Sequence, residues 1–142
     1  MGLLLALILV LAASAPKPSV NTKSDHVALR AYDAVAYFTD GRAVAGLEQF
    51  ELTWNGAIWR FANADHRDAF HKNPEHFAPQ FGGYCAWAVA HDYVADGDPE
   101  IWKIVDGRLY LNYSKRAQRK WETNIPGYIR QGLANWPAVL NK

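Results

Sequence analysis

Cys85 is the residue whose chemistry stands out. It lies in Phe81-Gly82-Gly83-Tyr84-Cys85-Ala86-Trp87, just inside an expected helix start. Backbone N–H groups and the helix dipole at such a point favour a thiolate, the form that binds a metal or attacks an electrophile. The two glycines before it let backbone or ligand approach closely. A free cysteine is also among the residue types most often buried as plain packing, so a space-filling thiol stands beside the reactive one.

Imidazoles are the natural companions of such a sulfur, and there are five: His26, His66, His71, His76 and His91. His66, His71 and His76 follow one another at intervals of five. On a helix that spacing turns side chains by about 140°, so His66 and His71 do not share a ligand face. Pro74 also interrupts the helix before His76. Of the three, only His66 is kept as a candidate ligand; His91, six residues after Cys85, is the second. For thiol catalysis, Cys85 would need His66 or His91 as base and Asp33 or Asn112 to orient it. Asp92, Asp96, Asp98 and Glu100 crowd one stretch, but Gly97-Asp98-Pro99 breaks the calcium-loop pattern, which leaves a solvated acidic turn. Lys115, Arg116, Arg119 and Lys120, followed by Glu122, read as a solvated helix face. Phosphate-cradling glycine loops, the G-x-S-x-G elbow and the dinucleotide fingerprint are all missing from the sequence.

The elements that must position these residues belong to a chain of 142 residues, which fits one domain. Fifteen basic against fourteen acidic side chains give a net charge of +1, which excludes holding nucleic acid or acidic lipid by bulk charge. A single cysteine excludes an internal disulfide and any paired-cysteine metal motif. Six Trp, seven Tyr and six Phe supply a large core. Residues 1–15, thirteen of them hydrophobic, match a secretory signal ending in Ala13-Ser14-Ala15, and the apolar run is too short to span a bilayer. Residues 16–25 read as a flexible polar leader and 26–142 as the folded domain.

Asp40-Gly41, Asn55-Gly56 and Asp106-Gly107 each predict a tight hairpin turn between strand-like runs. The predicted pairs are 35–39 with 42–44, 50–54 with 57–61, and 101–105 with 108–113. Leu109, Leu111 and Tyr113 alternate with Arg108, Tyr110 and Asn112, the pattern of a half-buried strand. Asn63 predicts the cap of a helix ending at Asn73, and Ser114 the cap of a helix over 115–123. Pro126 opens a last helix with Ile125, Ile129, Leu133 and Trp136 on one side. The expected class is α+β: a small antiparallel sheet of hairpins, short helices and a C-terminal helical pair.

Blocks of this sequence resemble the YHS domain. They are Tyr32-Asp33-Ala34-Val35-Ala36-Tyr37-Phe38, Trp54 to Asn63, Asp68-Ala69-Phe70 and Asn73-Pro74-Glu75. More narrowly, Phe81 to Val89, Gly97-Asp98-Pro99 and Leu109 to Ser114 resemble the exported, single-domain YHS proteins. The resemblance covers about residues 30–137. It implies a metal-binding module of the kind found attached to copper-transporting ATPases, with cysteine and histidine ligands near the first strand and at the start of the short helix. Here Ala36 stands where the Asp-Pro-Val-Cys type of element has its Cys. Ala62 and His66 stand at the two Cys positions of the Phe-Cys-Ser-x-x-Cys type of element. Cys85 belongs to the exported branch.

The leading expectation is therefore an exported, periplasmic or secreted domain that binds or sequesters a transition metal, copper before zinc. Its expected ligands are Cys85, His66 and His91. The alternative is a metal-free module that holds a small ligand or a protein in an aromatic pocket of Tyr84, Trp87, Trp102 and Tyr110, with Asp33 beside Tyr84 and Trp87 as ligand-binding residues. A thiol enzyme is the further alternative.

Overall fold

The computed structural model describes residues 6–12 and 14–142. The export-signal expectation falls partly on residues 1–5 and 13, outside the described residues. Residues 6–12 are exposed and form no regular element. Among the described residues no helix is long and apolar enough to cross a membrane.

The chain folds as α+β, with two hairpins and six short α-helices around and between them among the described residues. In chain order these are α1 (Ala36–Thr39), β1 (Leu47–Trp54), β2 (Ala57–Phe61), α2 (Ala64–Lys72), α3 (Pro74–Phe77), α4 (Ala86–Ala90), β3 (Asp98–Val105), β4 (Arg108–Asn112), α5 (Lys115–Glu122) and α6 (Ile125–Asn135). β1 pairs antiparallel with β2 and β3 with β4, as two separate two-stranded sheets. The turns that join them are the expected ones: Asn55 and Gly56 have φ of +50° and +74°, Asp106 and Gly107 +50° and +75°. Both central residues of such a turn need this left-handed backbone.

The third expected hairpin does not form. Residues 36–39 make the single helical turn α1, with Asp40 as its C-cap. The cause is one carboxylate: Asp33 Oδ1 accepts the Val35 and Ala36 N–H groups at 2.9 and 3.2 Å, which starts a helix where β-branched and aromatic residues suggest a strand. The other caps are as predicted. Asn63 Oδ1 accepts from His66 N at 2.8 Å, and Ser114 Oγ from Ala117 N at 3.1 Å. Pro74, which ends α2, sits in the first turn of α3.

Two apolar cores meet at β4. Leu109 and Leu111 face the first, with Val35, Tyr37, Trp59, Phe61 and Phe70. Tyr110 faces the second, with Phe81, Tyr84, Val89, Trp121 and Val139. The strand is thus buried on both sides rather than half-buried, because α4 and α5 cover the face that alternation assigned to solvent. Tyr113, expected inside, is 61% exposed.

The leader also departs from expectation, since it packs from Lys17 onward. Lys17 N donates to Leu140 O at 2.8 Å, Asn21 N to Gly82 O at 2.8 Å, and Val20 is buried. Tyr84 Oη donates to Pro18 O at 2.9 Å.

Candidate functional site

Cys85 is the N-cap residue of α4, in extended-side backbone (φ −58°, ψ 119°), and its carbonyl accepts the first helical bond from Val89 N at 3.0 Å. Gly82 and Gly83 before it have φ of +61° and +84°, so the chain turns sharply into the helix. Cys85 N donates to Ala95 O at 2.8 Å, and a parallel bridge sets Cys85 against Leu111. The residue is pinned from three sides.

Its sulfur is enclosed by hydrogen-bonding groups. Sγ donates to Asn112 Oδ1 at 3.5 Å, and that oxygen also accepts Trp87 N at 3.0 Å. The backbone N–H groups of Ala88, Tyr113 and Trp87 aim at the sulfur and pull its pKa down. Burial opposes them and wins, since Cys85 is 1% exposed, and the thiol is pushed above its ordinary value. At neutral pH the group is a satisfied thiol, with the Asn112 side chain as acceptor and peptide N–H groups as donors.

Cys85 lies at the inner end of a cleft of about 450 Å³ between α4, the end of β4 and α5. Trp87, Tyr93 and Tyr113 give it aromatic walls, and Arg116 and Lys120 of α5 line it with cations. Lys120 Nζ stands 5.6 Å from the Trp87 ring centroid, a cation–π contact. Behind Trp87, His91 stacks at 3.8 Å and donates from Nδ1 to Trp87 O at 2.7 Å, while Tyr128 meets the indole edge-on at 5.0 Å. The indole thus packs against His91, Tyr128 and Lys120.

The other expected site residues lie elsewhere. Asp33 is 0% exposed and accepts four hydrogen bonds, the last two from Ala62 N at 2.9 Å and His66 Nδ1 at 2.6 Å. His66 Nε2 faces Thr39 Oγ1 at 3.2 Å and Asp40 Oδ1 at 3.8 Å. This knot ties α1 to β2 and α2. Cys85, His66 and His91 therefore have three different sets of partners. Among the described residues no group of three or more His, Cys, Asp and Glu side chains is placed to hold a metal ion. Tyr84 and Tyr110 are buried in the second core, and Trp102 packs edge-on against Tyr37 at 5.1 Å, so Trp87 alone of the four expected pocket aromatics lines this cleft. The acidic stretch is spent on pairing: Asp96 with Lys23, Asp92 with Lys142, and Asp98 Oδ1 with Glu100 N.

Arg116, Lys120, Tyr93 and Tyr113 were not among the expected site residues. The available signal was the four-residue interval between Arg116 and Lys120, which puts both on one side of a helix that follows directly on the strand ending at Asn112. Comparison with protein-family models, with curated proteins and with solved structures finds no match.

Proposed function

We propose that this protein is a binding module for a small organic molecule, seated in the cleft over Cys85 without a covalent step. The observation that carries the reading is the cleft itself: about 450 Å³, within the usual range for small-ligand sites, with an indole packed on His91 and Tyr128 and two further aromatic rings on its walls. Catalysis by the thiol has burial against it, because the nucleophilic form is the one that burial disfavours. The test is a ligand-observed NMR screen of aromatic fragments against the wild type, Trp87→Ala and Tyr113→Ser, each checked for folding by its thermal melt. Hits that weaken in both folded variants support the reading; hits indifferent to both overturn it.

Transition-metal binding, copper before zinc, is the second reading. The YHS resemblance supports it, and Cys85 gives the cleft one soft donor, but neither His66 nor His91 lines that cleft. Titration with Cu(I) and then Zn(II) separates the two. Equal affinity in wild type and Cys85→Ala would overturn the metal reading.

A further inference from the structure

Resting on the cleft as a ligand site, we infer that its ligand is a flat aromatic molecule carrying an oxyanion, a carboxylate or sulfonate. The lining residues include Arg116 and Lys120 and no Asp or Glu. The two cations are one helical turn apart on α5, about 5–6 Å at Cβ, close enough for both long side chains to converge on one oxyanion. Among the described residues neither cation has a carboxylate partner, whereas the single acid of α5, Glu122, pairs with Lys103 at 3.7 Å. An anion between Arg116 and Lys120 sets its attached ring beside Trp87, because Lys120 already stands over that indole. The rest of the lining does not repel such a ligand, since Ala95, Ser114 and Ala117 are uncharged and Cys85 carries its proton. The aromatic walls and the cations thus call for the two ends of one molecule.

The test uses 2-naphthoate and its neutral counterpart 2-naphthalenemethanol, titrated into the full chain while the Trp87 indole N–H signal is followed by NMR. The expected result is tighter binding of naphthoate, with its Kd raised about 3- to 10-fold in Lys120→Gln and Arg116→Gln while that of the alcohol stays unchanged. Raising the salt concentration should weaken naphthoate alone. If both probes move the Trp87 signal with equal Kd and the charge variants change neither, the anionic class is wrong and the cleft remains a ligand site. If neither probe moves that signal, the ligand site and its class both fall. Both substituted side chains are helix-surface cations, so loss of fold does not confuse the outcome.

Discussion

At Cys85 two effects of opposite sign act on one atom. Three peptide N–H groups favour the thiolate, and enclosure by protein favours the thiol; enclosure is the stronger. Iodoacetamide at neutral pH should therefore label the native protein at least about tenfold more slowly than the unfolded chain, with the rate rising only above the ordinary thiol range. Equal labelling in the two states would contradict the burial described. Asp33 is the other residue where an outcome is sharp. Asp33→Ala leaves the N–H groups of Val35, Ala36 and Ala62 and the His66 ring without their acceptor, at an expected cost of about 3 kcal/mol or more. His66→Ala removes one of those four donors and should cost only about 1 kcal/mol. Urea unfolding of both variants checks the order, and equal losses would mean that the carboxylate matters through His66 alone.

Local chemistry makes most elements legible in the sequence. Asn55-Gly56 and Asp106-Gly107 specify hairpins because few other residue pairs accept their backbone, and Asn63 and Ser114 specify helix starts by capping them. Asp40-Gly41 carries the same local signal and fails, because the preceding strand is pre-empted by Asp33, whose own partners Ala62 and His66 come from far along the chain. The cleft was hidden for a related reason. Arg116 and Lys120 look like any solvated helix face until α5 is laid against Trp87, which is a tertiary event. Glycines show the difference between local and distant causes. Gly107 has φ +75° with open space around it, so Gly107→Ala should cost about 1 kcal/mol of backbone strain. Gly82 has φ +61°, and a Cβ there would run into the Ser19 carbonyl, so Gly82→Ala should cost roughly 2–4 kcal/mol and loosen residues 17–21. Urea melts of the two variants give the comparison; equal losses would mean that the packed leader contributes nothing.

Over the whole molecule, the buried thiol and three buried phenols share one direction of response to pH. Cys85, Tyr37, Tyr84 and Tyr110 all hold their protons more tightly than usual, chiefly through burial. When the folded pKa is the higher one, the unfolded chain releases its proton first. The associated stability is complete below the ordinary values of 9.0 for the thiol and 10.0 for the phenols, and drains away as pH climbs past them. The urea midpoint should hold level from neutrality to about pH 9 and then fall, and a flat profile to about pH 11 would contradict it. The same two-sided burial that raises the Tyr110 phenol gives β4 another property. Leu109 and Leu111 anchor one core, Tyr110 the other, and Asn112 caps the helix beside the cleft. Neither half can loosen while keeping its share of that strand intact. The amides of residues 109–112 should consequently be the slowest to exchange with deuterium, opening only when the entire fold opens. A molecule gripped in the cleft would then tighten the distant β1–β2 hairpin through these four shared residues, with no movement of either.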